Sequence, residues 1–189
     1  MIMMRDSEIS FKSKEEIKFF QEESLKQTIS YIAENSPFYQ RLFRQAGVDP
    51  SSIRKTEDLS KLPTTSKKDV SEYNRDFLCV SKSLVMDYVT TSGTLGDPVT
   101  FMLTENDLDR LAYNDSLSFK GAGCKPGEVM QIMTTIDRRF MAGLAYFMGA
   151  RKLGMGSIRV GNGIPELQWD SIIREKPDSC IVVPSFLIK

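Results

Sequence analysis

From residue 84 onward, short β-rich runs alternate with helical segments, and this alternation constrains the fold more than any other feature of the chain. The β-rich runs fall at 85–91, 98–103, 129–134, 157–160 and 180–183, and helical patterns fill 107–120, 140–153 and 165–174. Strands separated by helices of ~10–15 residues are joined by crossovers, which makes neighbouring strands parallel and puts helices on the sheet faces. The expected fold class is α/β with a largely parallel βαβ sheet. Before this region, residues 1–83 read as helical and polar. Ser13-Lys14-Glu15-Glu16 is a capping box, and Ile17, Phe20, Leu25, Ile29 and Ile32 then share a face at helical spacing. Ser36-Pro37 starts a second helix that Gly47 can end in the left-handed conformation. Short helical turns are expected at Glu57-Asp58-Leu59 and from Thr65 to Val70. The organisation expected is a helical region over 1–83 packed on an α/β region over 84–189. The sequence stops in apolar residues just after a strand, so the α/β region reads as incomplete. Its open sheet edge would favour self-association.

Composition narrows the chemistry. The chain has 189 residues, 41% of them hydrophobic and 26% charged, as ordinary globular domains do. Twenty-five basic residues balance twenty-five acidic ones, so no basic field points to a nucleic-acid partner. There is no histidine. That removes Ser-His-Asp and Cys-His catalysis, and every metal site that needs an imidazole, so no metal ligand is assigned. Cys79, Cys124 and Cys180 form no C-x-x-C pair and are expected as buried free thiols in a reducing compartment. The N-terminal residues lack the apolar core of a signal peptide, and no apolar run approaches the ~20 residues that span a bilayer. A cytoplasmic protein without a membrane partner is expected. Met130, Met133, Met141, Met148, Met155 and Trp169 are expected in packing roles.

One stretch asks for a ligand. A β-run leads into Thr90-Thr91-Ser92-Gly93-Thr94-Leu95-Gly96-Asp97-Pro98, with consecutive hydroxyl residues, two close glycines and a proline. Glycines let a backbone approach an anion closely, and successive N–H groups in such a loop form an anion-binding concavity. Neither G-x-x-x-x-G-K-[ST] nor G-x-G-x-x-G occurs, so the nucleotide loops those motifs mark are not present. A Ser/Gly turn joining two strands is the other reading of these residues.

The segment from Thr91 to Pro98 resembles the Ser/Thr-Gly-Thr-Thr-Gly-x-Pro phosphate loop of adenylate-forming enzymes, and its flanks resemble the phenylacetate-CoA ligase family. Ser36-Pro37-Phe38-Tyr39 with Phe43, Ala46-Gly47-Val48 and Pro50 is similar to that family's N-terminal helix pair. Asp58 to Asp69, Gly121 to Glu128, Gly143 to Gly154 and Val183 to Phe186 match in the same order. The resemblance implies that ATP activates a small-molecule carboxylic acid to an acyl-adenylate, which then forms a thioester with coenzyme A. It implies Mg²⁺ as well. Thr91, Ser92, Gly93, Thr94 and Gly96 are carried over as phosphate-binding residues, and Pro98 ends the loop. Phe140 matches an aromatic of the family's acyl pocket. Later catalytic residues would lie beyond this sequence.

The chain departs from the pattern in places. Leu95 replaces a second threonine, removing a hydroxyl donor, and Asp97 stands where lysine is common. Arg138 and Arg139 are atypical of the pocket stretch. Guanidinium groups suit a carboxylate or phosphate, though a solvated charge cluster at a helix start is the plainer reading. Other acceptors, as in an acyl-protein synthetase or a polysaccharide-modification ligase, share the adenylation step. A non-catalytic nucleotide or acyl binding module is the alternative that Leu95 and Asp97 motivate.

Overall fold

Serine and threonine side chains cap the first four α-helices. Ser13 caps α1 (Lys14–Asn35): its hydroxyl accepts the Glu16 N–H at 3.2 Å, and the Glu16 carboxylate accepts the Ser13 N–H at 3.0 Å. Ser36 caps α2 (Pro37–Ala46), which ends at Gly47 with φ 63°. Ser66 and Asp69 form the same reciprocal pair at the start of α3 (Lys67–Glu72). The computed structural model describes residues 8–91 and 98–188. They divide into two compact units, one of 8–85 with 98–100 and one of 86–91 with 101–188.

In the first unit the core gathers Ile29, Phe38, Phe43 and Ile53. Phe38 stacks on Phe77 with centroids 4.0 Å apart, and Tyr39 meets the same ring edge-on at 5.7 Å. Ser36, fully buried, uses its hydroxyl twice: it accepts from Tyr39 N–H and donates to the Asp76 carbonyl at 2.8 Å. Asp58 organises the 3-10 turn Thr56–Lys61. Its carboxylate accepts the N–H groups of Arg54 and Lys55 and the Lys61 ammonium at 2.7 Å. The Lys61 bond, then the two backbone donors, hold its pKa below the usual 3.8, at about 2.

The second unit takes in most of β1 (Val85–Thr90) and β2 (Thr100–Thr104), paired as a two-stranded sheet. Thr104 and Asp107 form a capping box that opens α4 (Glu105–Gly121). The chain then runs β3 (Val129–Ile132), α5 (Met141–Leu153), β4 (Gly156–Arg159), α6 (Pro165–Glu175), β5 (Ser179–Ile181) and α7 (Pro184–Leu187). The strands β4-β3-β5 form a parallel sheet with β3 central, Val129 opposite Gly156 and Met130 opposite Ser179. Met130 and Ile132 of β3 pack with Phe119, Ala150 and Met155 in the apolar core. The intervening Gln131 faces α6 instead, so α5 and α6 cover opposite faces. Gly149 lets α5 lie close to α4. A Cβ there would stand 2.4 Å from the Asp115 Cβ and 3.2 Å from the Phe119 ring. Burial pushes the Asp115 carboxyl above its usual pKa.

The α/β class with a parallel sheet is as expected, and several details differ. β1 and β2 stand outside the parallel sheet. β1 alternates exposed and covered residues, as a strand covered on one face does, while β3 is covered throughout. β5 is shorter than the expected 180–183, it pairs with β3 among the described residues, and Cys180 is exposed rather than buried. Cys79 and Cys124 are half-buried free thiols. Trp169 does not pack: it is 64% exposed. Gln168 is the α6 residue aimed at the sheet, and the next residue lies ~100° around the helix. Met130, Met133 and Met155 are buried, but Met141 is exposed at the start of α5. Among the described residues no helix is long and apolar enough to cross a membrane.

Two substitutions test this packing. Gly149→Ala would gain ~1 kcal/mol from helix propensity if space allowed. The close approach to Asp115 predicts the opposite sign, a net loss of about 1–3 kcal/mol from overpacking in chemical denaturation. Asp58→Asn lowers the melting temperature at pH 7. Because the folded pKa is depressed, the carboxylate's contribution is present above pH 3.8 and lost as pH falls through about 2. The melting gap between wild type and Asp58→Asn should therefore close between pH 4 and 2, and a gap independent of pH would assign the loss to another cause.

Candidate functional site

The connections of the parallel sheet reverse direction at β3. The chain leaves β3 for β4 on one side, then returns through α6 past β3 to β5 on the other. Ligands of open α/β sheets bind outside the carboxyl ends of the strands, beside such a reversal. At that edge the exits of β3 and β4 enclose an open cleft of about 380 Å³. Thr135, Ile136, Asp137 and Arg138 line it from β3, and Arg159, Val160, Gly161 and Asn162 from β4.

The β3 exit is a tight turn. The Phe140 N–H donates to the Asp137 carbonyl at 3.1 Å, and the central residues Arg138 and Arg139 both have positive φ, 59° and 60°. That is the φ pattern of a type I′ turn, which glycine, asparagine and aspartate normally fill. A side chain in this region costs about 1–2 kcal/mol per residue. Two supports hold the turn in place. The Thr90 N–H, at the end of β1, donates to the Arg139 carbonyl at 3.0 Å. Gly143, in the first turn of α5, sits so close that a Cβ would stand 1.8 Å from the Thr135 carbonyl oxygen.

The β4 exit is fixed from behind. Buried Gln131 donates through Nε2 to Gln168 Oε1 at 2.9 Å, and Gln168 Nε2 donates to the Gly161 carbonyl at 2.9 Å. Val160 and Gly161 both donate their N–H groups to the Ile132 carbonyl. Across the cleft, Thr135 Oγ1 lies 3.0 Å from Asp137 Oδ1 and 3.3 Å from Asn162 Oδ1. Among the described residues, Gln131 Oε1 and the hydroxyls of Thr134 and Ser157 are buried without a hydrogen-bond partner.

Of the residues the sequence singles out, Arg138, Arg139 and Phe140 come together in the β3 turn, exposed, one hydrogen bond from Thr90. Thr91 follows directly, at the base of the glycine loop. Ser92, Gly93, Thr94 and Gly96, with Leu95 and Asp97, lie outside the described residues. The sequence reading passes over Arg159, Asn162, Gln131 and Gln168. The signal for the first two is Gly161-Asn162-Gly163 directly after a parallel strand, and nothing in the sequence marks the glutamine pair. Among the described residues no group of three or more acidic, histidine or cysteine side chains is placed to hold a metal ion.

No protein-family model matches the chain. Curated relatives do. Phenylacetate-coenzyme A ligase of Thermus thermophilus is 34% identical over 185 residues, covering 97% of this chain and 41% of the relative. The Escherichia coli enzyme of the same name is 33% identical over 177 residues, covering 93% of this chain and 40% of the relative. A crystal structure of 2-hydroxyisobutyryl-CoA ligase, in complex with 2-HIB-AMP and CoA in the thioesterification state, superposes with a TM-score of 0.82 at 26% identity. It covers 93% of this chain and 39% of that one. An open conformation of the same ligase gives a TM-score of 0.82 at 25% identity over 92% of this chain. The chain thus spans about two fifths of the length of the relatives it matches. Sequence and fold together place it in the phenylacetate-CoA ligase-like branch of the adenylate-forming superfamily, where it corresponds to the N-terminal part of such a ligase.

Proposed function

We infer that this chain is the phosphate-loop part of an enzyme that activates a carboxylic acid with ATP and passes the acyl group to coenzyme A. The observation that carries the reading is similarity over nearly the whole chain to phenylacetate-CoA ligases, joined to a fold shared with a ligase crystallised with an acyl-AMP and CoA. The Thr90–Arg139 hydrogen bond supports it, since it ties the base of the 91–97 loop to the turn that carries Arg138, Arg139 and Phe140.

In this reading the N–H groups and hydroxyls of Thr91, Ser92, Gly93, Thr94 and Gly96 hold the β- and γ-phosphates of ATP. The substrate carboxylate attacks the α-phosphorus, the bond to the β-phosphate oxygen breaks, and pyrophosphate leaves. The sulfur of CoA then attacks the acyl carbon, its proton goes to solvent, and AMP leaves. Donors already in place stabilise the charge that spreads over the phosphoryl oxygens without reorganising, which is where such a loop gains its catalytic effect. Phe140, with Arg138 and Arg139, forms a wall of the acyl pocket. The resemblance implies Mg²⁺, and among the described residues no group of three or more acidic, histidine or cysteine side chains is placed to hold it.

Pyrophosphate exchange driven by a panel of carboxylic acids, measured on the complete gene product, tests the reaction. Gly93→Val should lower exchange about 100-fold or more, as loss of a preorganised oxyanion donor does, because a β-branched side chain fills the cradle and resists φ > 0. Unchanged exchange in this variant would remove the loop from the active site. Leu95→Thr should restore a hydroxyl and tighten ATP binding several-fold, about 1 kcal/mol, with the melting temperature unchanged. Equal or weaker affinity by calorimetry would show that no donor is missing there.

A further inference from the structure

The cleft between the β3 and β4 exits carries charge that the phosphate loop does not use. Arg138 enters it from the β3 turn and Arg159 from the end of β4. Asp137 is the one carboxylate among its lining residues, so guanidinium groups outnumber acids there by two to one. Asp137 neutralises Arg138 weakly: its Oδ2 stands 4.0 Å from Arg138 Nε, while its Oδ1 accepts from Thr135 at 3.0 Å.

Arg159 is held ready. Its guanidinium lies 5.0 Å from the centroid of Phe147, and Arg151 lies 5.8 Å from the same ring. Stacking engages the flat face of a guanidinium and leaves its N–H edges for an acceptor, and it lowers the entropy lost on binding. Arg138 is placed by a turn that glycine or asparagine would form at lower cost, so its position is maintained against a local penalty. We propose that Arg138 and Arg159 form a binding site for an anionic group, a carboxylate or a phosphate, on a small-molecule ligand. The planar fork of each guanidinium matches the paired oxygens of either group. The site deepens the proposed function, in which Arg138 stands in the wall of the acyl pocket, yet binding there needs no ATP and is measured apart from adenylation.

Calorimetric titration of the complete gene product at fixed ionic strength tests this, with succinate against acetate, coenzyme A against 3′-dephospho-coenzyme A, and inorganic phosphate as probes. Binding of succinate but not acetate identifies a second carboxylate as the anion. Preference for coenzyme A over its dephospho form identifies a phosphate, as does binding of phosphate alone. In each case Arg138→Gln and Arg159→Gln should each weaken the interaction about 10-fold, the scale of a lost charge-assisted contact. Arg159→Lys should recover only part of it, since the charge returns without the fork. Arg138 is exposed, so Arg138→Gln should keep the wild-type melting temperature and decides the matter if Arg159→Gln does not fold. Absence of binding by every probe, or binding that Arg138→Gln leaves unchanged, overturns the site. Either result leaves the pyrophosphate-exchange test of adenylation standing, and a failed exchange test leaves this site standing.

Discussion

Strand β3 has to bury both of its faces at once, and the second unit is arranged around that demand. A central parallel strand has no solvent-facing side, because each crossover lays a helix over it. Met130 and Ile132 meet α5 and α4 through apolar contacts, while Gln131 between them meets α6 through hydrogen bonds. Gln131 is half satisfied: its Oε1 has no hydrogen-bond partner, and a buried polar group left so costs about 1–3 kcal/mol, which makes the bond of its NH₂ group the more needed. Its NH₂ group has its partner in Gln168, and Gln168 in turn holds the Gly161 carbonyl. The polar face of β3 thereby fixes the loop that leaves β4, and one wall of the cleft follows from how the core is completed.

The other wall depends on β3 from the opposite direction. The chain must turn sharply after Ile136 to start α5, and Gly143 allows the helix to begin against the backbone of Thr135. Any side chain at 143 would push α5 away from the strand exit. With α5 seated, residues 137–140 are left a short turn to make, and the β1 amide of Thr90 closes it on the Arg139 carbonyl. Packing and hydrogen bonding thus converge on the same few residues, beside the reversal in strand order.

Much of this was legible in the sequence because local rules agreed with the fold. Ser13 with Glu16, Ser36 with Pro37, and Gly47 mark helix ends by chemistry that acts within a few residues, and those ends fall where the pattern puts them. The strand–helix alternation likewise gives the parallel sheet. What the pattern could not give is partnership at long range. An apolar run at 180–183 looks buried whatever covers its face, and in β5 Cys180 is exposed. The outward direction of Trp169 depends on Gln168 facing the sheet, a choice made by Gln131 across 37 residues of sequence. Arg159 belongs to the cleft only because β4 lies beside β3, and no motif records that neighbour. The phosphate loop rests on resemblance, since residues 92–97 lie outside the described part.

Among the described residues, the chain breaks its own local rules at the turn of Arg138 and Arg139. At the other described positions positive φ falls on glycine, apart from Lys176 at the end of α6. There an αL residue is an ordinary helix ending. The paired arginines are not at a helix end: each meets an αL cost of about 1–2 kcal/mol that glycine would not. The Thr90 N–H bond to the Arg139 carbonyl offsets part of that cost, and the close seat of Gly143 fixes where the turn must run. The proposed anion site thus sits where the chain holds this strain, at the carboxyl edge of the parallel sheet.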